Sequence, residues 1–197
     1  MPASLPDPLF ADSVPLPLGP REFRRIVIVG ESCSGKSTLA RALAARLGQP
    51  HIELDSLFWG PKWRARPKEQ FQADVRKATD ADAWVADGNY HSLRPTIWPR
   101  ATLVVWMHPP VPVVFWRALK RCVRRAWTGE ELFAGNRETF RQSFASRESL
   151  LWWILAHHGK RTADFEEQRR TRQWTGARWV EIRDDSELAA FALQAGL

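Results

Sequence analysis

The apolar positions of this chain fall into short strand-like runs separated by stretches of helical spacing. Ile26-Val27-Ile28-Val29 is unbroken and β-branched, as a strand covered on both faces of a parallel sheet should be. Leu39, Leu43 and Leu47 then recur at helical spacing, and Gly48 stands where a glycine beyond the last turn closes a helix. His51-Ile52-Glu53-Leu54-Asp55 alternates polar and apolar, which predicts a second strand ending in an acid. Phe71, Val75 and Ala78 mark a short helix. Trp84-Val85-Ala86-Asp87-Gly88 predicts a third strand, Thr102 to Trp106 a fourth and Arg178-Trp179-Val180-Glu181-Ile182 a fifth. Ser186 is placed to cap a last helix carrying Leu188, Phe191 and Leu193. Strands alternating with helices in this way predict an α/β fold around a parallel sheet.

Prolines punctuate the pattern. Pro2, Pro6, Pro8, Pro15, Pro17 and Pro20 remove backbone donors repeatedly and exclude both a continuous helix and the apolar core of a secretion signal. Residues 1–22 therefore read as a flexible Pro-rich leader and residues 23–197 as a single domain. The most apolar stretch, Val104 to Trp116, is broken by Pro109, Pro110 and Pro112 and is too short to span a bilayer. A soluble protein is expected, and no membrane partner.

The first chemical signal lies directly after the first strand. Gly30-Glu31-Ser32-Cys33-Ser34-Gly35-Lys36-Ser37 fits the phosphate-binding loop G-x-x-x-x-G-K-[ST] at every fixed position, with Thr38 continuing into the helix. Glycines let backbone N–H groups curl around an anion, the helix aims its positive end there, and Lys36 supplies a mobile cation. Ser37 is the residue type that binds Mg²⁺ through its hydroxyl. ATP with Mg²⁺ is the cofactor this loop calls for.

Other candidates follow from position. In a parallel sheet the carboxyl ends of the strands line the ligand crevice, so Asp55 and Asp87, each ending a predicted strand, are candidate site acids. Asp87 is the second candidate Mg²⁺ residue after Ser37, because phosphoryl transfer needs a carboxylate near the metal. Asp55 fits an acceptor-binding acid or base, and equally a solvated strand-end acid or helix cap. The loop from Ser56 mixes Trp59, Trp63, Lys62, Arg64 and Arg66, which suits either an acceptor pocket, within an insert at about 56–82, or a local aromatic cluster. Arg94 fits a fork for an acceptor phosphate or carboxylate, or a surface ion pair. Arg117, Arg121, Arg124 and Arg125 recur three and four apart, a cationic helix stripe that calls for an anionic partner.

Charge and composition widen the choice of partner. A net charge of +7 and eleven tryptophans suit a surface that tracks nucleic-acid phosphates and stacks bases. Against that, the cations at about 126–175 are interleaved with acids, among them Glu130, Glu131, Arg137, Glu138, Arg141, Arg147 and Glu148, around an apolar stretch Leu150-Leu151-Trp152-Trp153-Ile154-Leu155. This pattern fits a mobile helical lid that keeps water from ATP, or a solvent-exposed helix laced with ion pairs. A nucleic-acid-associated ATPase is thus the second reading, behind a kinase for a small-molecule acceptor. Two cysteines, Cys33 and Cys122, form no disulfide framework and point to a reducing, cytoplasmic setting. Cys33, inside the loop beside a helix start and Lys36, lies in surroundings that favour a reactive thiolate.

Taken together, the strings GESCSGKSTLA, IELDSLFWGPKW, WVADGNYHSLRPTIWPRA and AGNRETFRQSFASRESLLWW make the chain similar to the adenylate kinase-like P-loop proteins of the DNA topology modulation group, from about Ile26 to about Trp153. That resemblance implies a three-layer α/β/α fold with a five-stranded parallel sheet in the order 2-3-1-4-5, an acceptor-binding insert after the second strand, and an arginine-bearing lid. It implies that Lys36 and Ser37 hold phosphates and Mg²⁺, that Asp87 orders metal-bound water, that Arg94 contacts acceptor phosphate, and that Arg117 and Arg121 neutralise the transferring phosphoryl group. The acceptor it implies is a nucleotide or nucleoside. Met107-His108-Pro109 departs from the group, which would have an aspartate before the proline.

Overall fold

The computed structural model of the chain describes residues 17–137, 150–174 and 176–197, less the side chains at 150, 151, 153 and 155. Most of the leader, residues 1–16, and the stretch 138–149 with Glu138, Arg141, Arg147 and Glu148 lie outside the described residues.

The strands are β1 (Arg25–Gly30), β2 (His51–Glu53), β3 (Trp84–Asp87), β4 (Leu103–Met107) and β5 (Arg178–Ile182). They pair in parallel in the order β2-β3-β1-β4-β5. Helices α1 (Lys36–Leu47), α2 (Leu54–Phe58), α3 (Lys68–Ala78), α4 (Arg94–Ile97), α5 (Val111–Thr128), α6 (Leu150–Thr171) and α7 (Asp185–Ala195) connect or flank them.

The pleat sorts the central strands into two cores. Ile26 and Ile28, with Val85, Leu103, Val105 and Met107, face a layer made by α1 and α7 through Leu39, Leu43 and Phe191. Val27 and Val29, with Trp84, Ala86, Val104 and Trp106, face the other layer, where Phe71, Val75, Ile97 and Phe165 cover them. Because successive side chains on a strand point to opposite faces, a run buried on both sides must be apolar throughout, as β1 and β4 are. Each fully buried large side chain contributes about 1.5–3 kcal/mol of transfer free energy, so both layers are anchored through the same strands. The result is the expected three-layer α/β/α architecture and strand order.

Several local expectations are corrected. The second strand stops at Glu53, and Asp55 falls in the first turn of α2. Gly88 lies beyond β3 with φ 142°, where a Cβ would come within 2.9 Å of Leu54 Cβ, so the chain leaves the sheet there by a backbone only glycine adopts readily. The last helix is capped by Asp184, whose carboxylate accepts from the backbone of Ser186 and Glu187, and not by Ser186. Both residue types cap well, and the acid two residues earlier takes the free donors. Leu18, in the stretch read as leader, is buried beside Phe23, and its N–H donates to Gln194.

Candidate functional site

The strand-loop-helix unit at the carboxyl end of β1 sets one wall of the site. Gly30 is fixed by a close approach: with φ 137°, a Cβ there would sit 2.0 Å from the Met107 carbonyl oxygen of β4. Asn89 clamps the same residue from β3's side, accepting from Gly30 N–H and donating to its carbonyl. Gly35, in the left-handed region at φ 103°, turns the chain into α1. Lys36 Nζ donates to the Glu31 carbonyl at 2.7 Å across the loop. Burial lowers the Lys36 pKa, and the nearby Asp87 and Asp55 carboxylates oppose that shift.

The carboxyl ends of β2 and β3 bring the acids to this loop. Ser37 Oγ donates to Asp87 Oδ2 at 2.6 Å, and His51 Nε2 lies 2.7 Å from Asp87 Oδ1. A hydroxyl and a carboxylate side by side form a hard oxygen pair of the kind Mg²⁺ takes, with room for substrate phosphates to complete the shell. Among the described residues no group of three or more His, Cys, Asp or Glu could hold a metal, so Mg²⁺ would depend on water and nucleotide oxygens for its remaining ligands. Asp55, in the first turn of α2, accepts from the Tyr90 hydroxyl at 2.6 Å. Burial, and then the neighbouring Asp55, push the Tyr90 pKa well above its ordinary value, which keeps the phenol a donor.

Helix α5 closes the site from above. One cavity of about 680 Å³ is shared by Ser32 to Thr38, Asp55, Asp87, Arg117 and Arg121, with Leu188 and Ala192 of α7 as its apolar side. Among the described residues Arg121 Nε is buried with no hydrogen-bond partner, and Arg117 donates at 3.5 Å to the Ser34 carbonyl. An unsatisfied guanidinium nitrogen beside a phosphate loop is what a bound anion would satisfy. The arginine stripe predicted on this helix divides: Arg124 and Arg125 turn to Glu130, at 3.0 and 3.6 Å, and do not line the cavity.

The remaining predicted residues stand apart from that cavity. Arg94 is only 5% exposed and forms a two-pronged pair with Asp164 of α6, one arm at 2.9 Å, while its guanidinium packs over Trp98 and Phe165. The hydrogen bond from Arg94 holds the Asp164 carboxyl below the usual carboxylate range. Arg94 is therefore neither a surface ion pair nor aimed at open space. Trp59 and Trp63 pack edge to face on each other at 5.6 Å. They extend an aromatic cluster through Phe58 to Phe71 and Tyr90.

The partners of the loop residue Glu31, and Asn136 with its contacts, were not singled out by the sequence reading. Glu31, 3% exposed, pairs at 3.2 Å with Arg161 of α6, and His158 lies 3.9 Å away. Asn136, 5% exposed, accepts from Trp63 N–H and donates to the Gly60 carbonyl, tying the segment after α5 to the loop after α2. No periodicity marks either residue; the Ala-Gly-Asn turn at 134–136 is the one local sign of Asn136. The unexpected His108 stacks on Trp106 at 4.3 Å and meets Glu181 at 2.8 Å, so it belongs to the β4–β5 packing. Cys33, with φ 65°, packs against Val114, Ala118 and Ile154.

No protein-family model and no curated protein matches the chain. Among solved structures it is similar to a shikimate kinase from Bacteroides thetaiotaomicron, with 18% identity, a TM-score of 0.52, and coverage of 88% of this chain and 99% of that one. A gluconokinase from Sinorhizobium meliloti is 20% identical over 89% of this chain and 90% of its own, with a TM-score of 0.49. The shikimate kinase likeness shows a shared fold and agrees with the strand order and the phosphate loop at the end of β1. Among the described residues no helix is long and apolar enough to cross a membrane.

Proposed function

We propose that this chain is an ATP-dependent kinase that passes the γ-phosphoryl group of Mg²⁺-ATP to a hydroxyl of a small-molecule acceptor, a nucleoside or a nucleotide. The observation that carries the proposal is the single cavity shared by the phosphate loop, Asp55, Asp87, Arg117 and Arg121. Catalysis of phosphoryl transfer is mostly positioning and charge stabilisation, and these are the groups it uses.

In this reading the loop amides and Lys36 hold the phosphates of ATP. Ser37, with Asp87 behind it, would hold Mg²⁺, and the ion would supply neutralisation of phosphate charge. His51 orients Asp87 through the second carboxylate oxygen. Arg117 and Arg121 meet the charge of the transferring group, and Arg161 joins them on exchanging its Glu31 partner for phosphate. The acceptor oxygen attacks phosphorus in line, its proton passes to the free oxygen of Asp55, and ADP leaves. Tyr90 keeps Asp55 oriented by donating to its other oxygen.

The engagement of Arg94 with Asp164 favours a hydroxyl as the reacting group over a bare acceptor phosphate, because the arginine that would grip such a phosphate is already paired. Trp59 and Trp63 do not line that cavity; they pack through Phe58 onto Tyr90 and so would brace the acceptor side behind Asp55. The link to the DNA topology modulation group rests on the motif strings alone, and the test below separates it from a kinase. ADP release is followed across nucleosides, nucleotides, sugars and DNA, with Lys36→Ala as control. Stimulation by one small hydroxyl acceptor, lost in the control, is the expected result. Stimulation by nucleic acid alone would overturn the proposal.

A further inference from the structure

A second cavity lies at the amino-terminal ends of the strands, the opposite end of the sheet from the phosphate loop. It has a volume of about 670 Å³ and collects Arg21, Arg25, Arg100, Arg169, Arg172 and Arg178. Arg25 starts β1 and Arg178 starts β5, whereas the phosphate loop follows the other end of β1. The six residues of β1 separate the two cavities by about 20 Å, so this one is no extension of the nucleotide site.

The charge in it is poorly compensated. Glu22 is the only acid in the wall among the described residues and stands 3.9 Å from Arg178, while Arg169 is held by Glu181 at 3.0 Å. Among the described residues no acid pairs with Arg21, Arg25, Arg100 or Arg172. Arg25 Nε is buried without a hydrogen-bond partner among the described residues, and Arg100 donates to the Thr79 hydroxyl at 3.4 Å. Guanidiniums gathered around one concavity repel each other, and a fold gains nothing from them unless an anion enters.

We infer that this cavity is a second anion site, for a small molecule bearing several phosphate groups. Guanidinium forks match phosphate oxygens two at a time, and several forks converging here need several charges in one ligand. A lone carboxylate or phosphate ion would leave most of them unmatched. The volume is that of a small-molecule pocket, and the adjoining wall of Pro99, Ala101 and Ala177 with one face of Trp179 supplies a limited apolar surface for the rest of the ligand. Arg170, next along α6, does not join the cluster but pairs with Glu167.

The experiment titrates the full chain with inorganic tripolyphosphate by calorimetry. Wild type should bind two equivalents, one per cavity. Lys36→Ala should retain the distal equivalent, and Arg25→Gln/Arg100→Gln should weaken it by roughly tenfold or more, the cost of losing charged hydrogen bonds. Because the latter pair is half-buried, Arg21→Gln/Arg172→Gln on the exposed rim provides a second variant, expected to weaken the same equivalent several-fold with an unchanged melting midpoint. Full stoichiometry and affinity in both arginine variants would overturn the inference. So would a single-stranded oligonucleotide that displaces tripolyphosphate from Lys36→Ala with an affinity rising with its length, which would make the surface a nucleic-acid track.

Discussion

The phosphate side of the main cavity and its acceptor side are built differently. Gly30 to Ser37 supply the first from one strand-loop-helix unit, with neighbours in sequence serving as neighbours in space. The second is assembled, and braced from outside the cavity, across the chain: Tyr90 meets Asp55 from 35 residues away, Asn136 reaches Trp63 from 73, and Arg94 reaches Asp164 across 70. A local unit keeps its chemistry whatever the rest of the chain does. A distributed one is as good as the packing that holds its parts, and can be retuned one contact at a time.

That contrast is tested first on the local side, where the largest effect is expected. Lys36→Ala should reduce turnover by about 10³-fold while leaving the melting midpoint within a few degrees, because the lysine meets charge in a water-poor site and supports no core contact. Unfolding of this variant on the same scale as the lost activity would mean that Lys36 bridges the loop for structure.

On the distributed side, Asp55→Asn should lower turnover with a hydroxyl acceptor by about 10²-fold and leave ATP affinity unchanged, as removal of a general base does. Equal losses of both would make Asp55 a structural acid. Asn136→Ala is expected to be milder. It strands the Trp63 N–H and the Gly60 carbonyl, a cost of about 1–3 kcal/mol, and should raise KM for the acceptor with little change in KM for ATP. A parallel rise in both constants would contradict the division of the site into two sides.

The smallest effect concerns pH. Arg94 holds the Asp164 carboxyl below its ordinary value of 3.8, so the pair stabilises the fold fully above that value and loses its contribution as pH falls through the lowered one. Asp164 is a third exposed, which screens the interaction. Urea unfolding at about pH 5 and about pH 3 should show a steeper loss in wild type than in Asp164→Asn. Parallel losses would remove Arg94–Asp164 from the acid response.

The same division explains what the sequence could disclose. The phosphate loop, the burial of β1 and β4 and the strand order were legible because each depends on residues close in sequence or on a family pattern of strings. Asp55 and Asp87 were found from their position at strand ends, although Asp55 lies in the first turn of a helix. The partner of Arg94 was not legible, since nothing near Asp164 distinguishes it from the other charges of α6. Arg124 shares the stripe of Arg117 and Arg121 by spacing and departs from it because Glu130 lies within reach, a choice that helical periodicity does not record. Glu31–Arg161 joins residues that only the finished fold brings together.

The most direct measurement follows the labelled γ-phosphoryl of Mg²⁺-ATP into product with the best acceptor found, in wild type, Lys36→Ala and Asp55→Asn. The account predicts label on an acceptor hydroxyl in wild type, almost none in Lys36→Ala, and slow transfer with unimpaired ATP binding in Asp55→Asn. Label released only as inorganic phosphate, whatever small acceptor is present, would contradict it and leave an ATPase.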